Sequence, residues 1–183
     1  QAALIVDEAF VKSITPEDVM DGKLPITDRR YSTFKIAMDI IKSRNLKVMV
    51  ETGTSRKGDK NCVADGCATV LFSRWADYIP GATFYSVDNN EAAVLESSLS
   101  TRQFNCTKVV LSDSVKFLRE FPGTIDFLYL DTMDFDSNNP RTAQALPLKE
   151  GIAAYPKLHD DSVVMVDDCG LAFGGKCAYV ELF

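Results

Sequence analysis

Leu46-Lys47-Val48-Met49-Val50-Glu51-Thr52-Gly53-Thr54-Ser55 decides how this chain is read. An apolar run ends in an acid, then come a glycine and two small hydroxyl residues. A buried strand running straight into a turn has this composition, and the glycine lets the turn's backbone approach a ligand closely. Outward from it the pattern repeats. Residues 83–88, 108–113, 125–131 and 162–168 are apolar runs of strand length, closing on Asp88, Asp113, Asp131 and the pair Asp167 and Asp168. Helical stretches separate them: one introduced by Asp65-Gly66 and running through Thr69, Leu71, Phe72 and Trp75, then 90–101, 114–121 and 141–158. Pro147 and Pro156 should bend or shorten the last. Strands alternating with helices predict an α/β fold, a mostly parallel sheet with helices on both faces.

Upstream, Thr15-Pro16-Glu17-Asp18 has the hydroxyl, proline and acids of a helix start. A longer helix over 28–44 places Tyr31, Phe34, Met38 and Ile41 on one face. Residues 1–45 are expected to form an N-terminal helical cap on a ligand-binding domain spanning 46–183. The run from Lys176 to Phe183 reads as a strand cut off mid-run, so the natural protein is expected to extend further.

At 183 residues with 46% hydrophobic content the chain is long enough to bury a substantial core. Its net charge of −6 argues against nucleic acid as the main partner. Arg56, Lys57 and Lys60 are the one basic cluster in a loop, and Asp59 interrupts them. No apolar run approaches the roughly 20 residues needed to span a bilayer. The five cysteines, Cys62, Cys67, Cys106, Cys169 and Cys177, form no CxxC pair, and His159 is the single histidine. The odd count suggests free thiols in a reducing compartment, hence a cytoplasmic protein. Asn105-Cys106-Thr107 matches a glycosylation triplet, a pattern that also arises by chance.

In parallel sheets ligands bind at the carboxyl ends of the strands. Glu51, Asp88, Asp113, Asp131, Asp167 and Asp168 all fall there. Acids at loop starts also cap helices, but six at equivalent places favour a ligand site. A P-loop is excluded: Gly53 and Gly58 have its spacing, yet Asp59 stands where its lysine must be. A dinucleotide fingerprint is absent too, since Thr54 and Ser55 follow Gly53. A cationic ligand without phosphates suits the acids better. S-adenosylmethionine has an amine for Glu51, a ribose diol for Asp88, and an adenine amino group for Asp113 and Ser114.

Val50-Glu51-Thr52-Gly53-Thr54, Val87-Asp88, Ser112-Asp113-Ser114, the run 125–131 and Val164-Met165-Val166-Asp167-Asp168 resemble the successive motifs of class I S-adenosylmethionine-dependent methyltransferases. The resemblance implies a Rossmann-like sheet closed by an antiparallel strand, of which Lys176 to Phe183 would be the start. It also implies Glu51, Gly53, Thr54 and Ser55 at the methionine end, Asp88 and Asn89 at the ribose, Asp113 and Ser114 at the adenine, and Asp131 beside the cofactor. The loop 56–64 departs from the family, whose first turn passes directly into its helix. It is expected to be a lid, an oligomer contact or a solvated excursion.

Asp131, Asp167 and Asp168 end neighbouring strands, and three carboxylates without a basic neighbour invite a divalent cation. They resemble the metal-dependent O-methyltransferases of the catechol and caffeoyl-coenzyme A type, which implies magnesium holding a substrate diol. Asp168 replaces that group's asparagine. Asp134 stands three residues after Asp131, where the group has its lysine base, so that base does not carry over; Asp131 and Asp134 are the candidate catalytic residues. The metal-free alternative keeps Asp131 near the cofactor and gives Asp167 and Asp168 to capping. The expected activity is methyl transfer to a small-molecule acceptor; the alternative is a non-catalytic adenosine-binding or scaffold module, in either case with self-association as an option.

Overall fold

The computed structural model describes residues 14–182; residues 1–13 of the expected cap lie outside them. The elements, in chain order, are α1 (Pro16–Met20), α2 (Arg29–Ser43), β1 (Val48–Thr52), α3 (Cys62–Asp65), α4 (Ala68–Asp77), β2 (Thr83–Asp88), α5 (Glu91–Thr101), β3 (Thr107–Leu111), α6 (Ser114–Glu120), β4 (Phe127–Leu130), α7 (Pro140–Ala154) and β5 (Val163–Val166). The five strands form one all-parallel sheet in the order β3-β2-β1-β4-β5.

Alternation along the strands divides the core between the two faces. Met49, Phe127 and Tyr129 join Phe84 on one face, against Phe34, Met38 and Ile41 of α2 and Leu71, Phe72 and Trp75 of α4. Val50, Leu128 and Leu130 face the other way, onto Leu118, Phe121, Ala153 and Ala154. Phe72 is the hub of the first cluster, with the Phe127, Tyr129 and Phe34 ring centroids 5.3, 5.8 and 5.7 Å away. The N-terminal helices therefore share one core with the sheet, and residue 45 separates no second core from it.

The helix starts follow their capping chemistry. The Thr15 hydroxyl accepts from Asp18 N–H while Asp18 reaches back to the Thr15 N–H. Asp28, Asn90 and Asp113 cap α2, α5 and α6 with their side chains. Asp65-Gly66, expected to start a helix, instead closes the short α3, and α4 begins after Cys67 at φ 42°. Pro147 lies within α7, and Pro156 falls in a 3-10 turn, Tyr155–Lys157. At the amino ends of the strands Asp126 Oδ2 accepts from the Lys47 and Val48 N–H groups, and His159 Nε2 bonds its Oδ1 at 2.9 Å. His159 is a fastening residue far from the strand ends that carry the acids.

The expected closing antiparallel strand is absent among the described residues. Residues 172–182 form two 3-10 segments, Ala172–Ala178 and Val180–Leu182. The reason is local. Phe173, Gly174 and Gly175 all have positive φ, and a Cys169–Cys177 disulfide holds its two Cα atoms 4.9 Å apart. Eight extended residues would separate them by about 26 Å.

Candidate functional site

The strand order reverses between β1 and β4, and a cleft of about 230 Å³ opens there at the carboxyl ends. Glu51, Gly53, Thr54, Ser55, Asp88, Asp131, Asp134, Asp167 and Asp168 all line it. Asn89, Asp113 and Ser114 do not. Nine of the twelve residues proposed from sequence thus meet in one cleft.

Glu51 is buried to 1% exposure. Its Oε2 accepts from Thr69 Oγ1 at 2.6 Å and Ser86 Oγ at 2.5 Å. Burial pushes its carboxyl up to about 8 despite these bonds, and Asp131 and Asp88 add to the rise. A carboxyl kept neutral by burial gains most from a cation placed against it. Thr69 also receives the Ser55 N–H at 2.8 Å, so the first turn of α4 organises the β1 turn. Neither Thr69 nor Ser86 was read as a site residue from the sequence; their signal was a small hydroxyl inside an otherwise apolar run.

Gly53 has a different reason from the expected one. Its φ is +84°, and a Cβ there would lie 2.1 Å from the Asp131 carbonyl oxygen. The glycine is demanded by the end of β4 pressing on the turn. That close approach brings Asp131 beside Glu51.

Asp88 spends its carboxylate on backbone: Oδ2 accepts from Thr54 N–H at 3.0 Å and Oδ1 from Asn90 N–H at 2.8 Å. Asn89 beside it is exposed. Asp113 Oδ1 accepts from Lys116 N–H at 2.8 Å. Its role in the free protein is the helix cap, and Ser114 is buried behind it.

The acidic end of the cleft overturns the premise that no base stands nearby. Lys176, 1% exposed, lies with Nζ 2.7 Å from Asp131 Oδ1 and 3.4 Å from Asp168 Oδ2. Burial alone would depress its ammonium, but attraction to Asp131, Asp168 and Asp167 outweighs it and the group is held charged. Burial and then Asp167 push Asp131 up to about 7, with Lys176 pulling the other way. No group of three histidine, cysteine or acidic side chains among the described residues forms a ready metal site with the lysine in place. Asp131 and Asp168 each turn one carboxylate oxygen to the Lys176 ammonium, and that positive charge makes the cluster a poor fit for a magnesium ion.

The thiol reading is also corrected. Cys62 pairs with Cys67 and Cys169 with Cys177, leaving Cys106 free. With four of the five cysteines paired, cysteine usage no longer argues for a reducing compartment. Spacings of five and eight residues look like nothing in sequence; the turns between them bring the sulfurs together.

The loop 56–64 neither projects nor hangs free. Gly58, at φ +55°, packs where a Cβ would meet Ser100 Oγ at 2.0 Å. Lys60 pairs with Glu96, Asp59 with Lys23, and Arg30 donates to the Val63 and Ala64 carbonyls. Arg56 donates to Asp65 at 2.8 Å and to Asp134 at 2.7 Å, joining the two segments that border the cleft. Asp134 is held below the usual carboxylate range by Arg56, a poor state for a general base. Sequence reasoning also missed Glu150. It is fully buried on α7 and pushed up to about 7 by burial, with Oε2 accepting from Thr132 at 3.0 Å.

No protein-family profile matches the chain, and no curated protein matches it in sequence. Solved structures do. One is a Staphylococcus aureus protein described as a caffeoyl-CoA O-methyltransferase, 18% identical with a TM-score of 0.56, over 89% of this chain and 66% of that one. Another is the O-methyltransferase of Bacillus cereus in complex with SAH, 15% identical with a TM-score of 0.54, over 88% and 72%. The fold is that of the class I S-adenosylmethionine-dependent methyltransferases. A Clostridium thermocellum protein described as an rRNA methylase shares it, 8% identical with a TM-score of 0.54, over 80% and 78%. The methyltransferase fold places the cleft, and the chain spans under two thirds of the Staphylococcus protein's length. Among the described residues no helix is long and apolar enough to cross a membrane.

Proposed function

We propose that this protein binds S-adenosylmethionine in the β1/β4 cleft and transfers its methyl group to a small-molecule acceptor. The single observation that carries the reading is Glu51, a neutral buried carboxyl at the strand end where the fold's switch point opens. The ligand's ammonium would lower the Glu51 pKa so that its proton leaves to solvent, and would then bond the carboxylate, with Thr69 and Ser86 holding it in place. Asp88 has lone pairs left beside its two backbone bonds for ribose hydroxyls. Asp113 and Ser114 do not line the cleft, so they would meet the adenine only if the ligand extends beyond it.

When bound, the cofactor supplies an electrophilic methyl on its sulfonium. The chain's part is alignment: Gly53 against Asp131 fixes the turn, and Asp131 presents its carboxyl to the acceptor side. No step runs through a divalent cation, because the acid cluster does not fit one. The net charge of −6 supports a small neutral or cationic acceptor over nucleic acid.

Calorimetric titration with S-adenosylmethionine and S-adenosylhomocysteine tests the reading. Saturable binding of both is expected, and binding of neither overturns it. The second reading, an adenosine-ligand module without transfer, draws on the Arg56–Asp134 pair, which ties up the carboxylate standing where a base is needed. Binding with no methyl transfer to any of a panel of amines, phenols and catechols would favour it.

A further inference from the structure

The acidic end of the cleft carries its own cation. We propose that Lys176, delivered by the Cys169–Cys177 loop, is the resident counter-ion of Asp131 and Asp168 and closes this site to divalent metal ions.

A buried ammonium is costly unless its partners are close and anionic. Lys176 meets that condition twice, at 2.7 Å and 3.4 Å. The loop that brings it is fastened on both sides. Gly175 sits at φ +54° with its Cβ position 1.8 Å from the Asp168 carbonyl oxygen, so only glycine lets these two backbones touch. The Lys176 N–H then donates to that same oxygen at 3.3 Å. Gln144 of α7 donates from Nε2 to the Phe173 carbonyl at 3.0 Å. The disulfide closes the loop one residue beyond Lys176. Asp168 itself takes φ 54°, an unusual state for a non-glycine residue that turns its carbonyl toward the loop.

A hard divalent ion needs several anionic oxygens with free lone pairs. Here one oxygen of Asp131 and one of Asp168 already face an ammonium, and a second cation beside it would be repelled. A tethered ammonium is also present at a fixed high effective concentration, which no chelator removes. The inference stands apart from the cofactor reading, since metal binding is measured without S-adenosylmethionine.

The test is a Mn2+ titration followed by electron paramagnetic resonance, on the disulfide-bonded wild type and on Lys176→Met. The wild type should show no specific Mn2+ up to millimolar metal, and Lys176→Met should gain a site at least about tenfold tighter. Equal binding by the two proteins, or a folded variant that gains nothing, overturns the proposal. Because Lys176→Met can fail to fold, lysine acetylation mapped by mass spectrometry provides a second measurement. In the wild type Lys176 should be protected while exposed Lys57 reacts, and Cys169→Ser/Cys177→Ser should expose it. Acetylation of Lys176 at the rate of Lys57 in the intact protein, or its continued protection in the double variant, defeats the proposed tether.

Discussion

The Thr69 hydroxyl donates to Glu51 Oε2 at 2.6 Å, tying the first turn of α4 to the end of β1. Burial holds the Glu51 carboxyl up at about 8, far above 4.5, although this bond and the one from Ser86 both pull it down. The folded protein therefore holds this proton more tightly than the unfolded chain. Its contribution is fully present below about pH 4.5 and is lost as pH rises toward 8. Glu51→Gln removes that slope. Urea denaturation should show the variant gaining on the wild type across this window, by at most about 1.4 kcal/mol per pH unit. Calorimetry should show S-adenosylmethionine binding weakened by about tenfold or more.

Gly53 and Gly22 share a positive φ but differ in surroundings. At Gly53 a Cβ meets the Asp131 carbonyl at 2.1 Å, whereas Gly22 has nothing within 4 Å. Gly22→Ala should cost about 1–2 kcal/mol, the left-handed penalty alone. Gly53→Ala should cost clearly more, since backbone on backbone has no flexible end to yield. Thermal denaturation of the two variants side by side checks the order.

Asp88→Ala should lose two backbone bonds and the ribose acceptor together. The expected result is a stability loss of about 1–3 kcal/mol with cofactor binding weakened by an order of magnitude. Asp168→Ala should leave cofactor affinity nearly unchanged, because its bonded partner is Lys176. Calorimetric affinities for the pair separate ribose contact from general damage to the cleft.

Asp134 pairs with Arg56 at the surface, its side chain 76% exposed. Asp134→Asn should cost less than about 1 kcal/mol. Once an acceptor is found, it should also lower kcat less than Asp131→Asn does. A larger loss at Asp134 would return it to the role of base.

The sheet was readable because buried parallel strands are short apolar runs that close on acids. That is why 83–88 coincides with β2, and why Asp28 and Asn90 cap the helices they precede. The final segment misled because Ala178, Val180 and Leu182 resemble a strand when the turn before them is ignored. Gly174-Gly175 between two cysteines was the available signal, since paired glycines permit a fold-back that carries Lys176 inward. Asp113 shows the converse: an acid at a strand end was counted toward the ligand, and its carboxylate caps α6.

From the residues alone came the alternation of strands and helices, the parallel sheet, and acids gathered at one end of it. These depend on hydrophobic period and on short-range capping. Only the tertiary structure decided the charge balance of that end. Lys176 is 45 residues from Asp131 in sequence and 2.7 Å from it in space. Whether three carboxylates need a metal or have an ammonium depends on such a long-range contact, made by a loop whose course is set by two glycines and a disulfide.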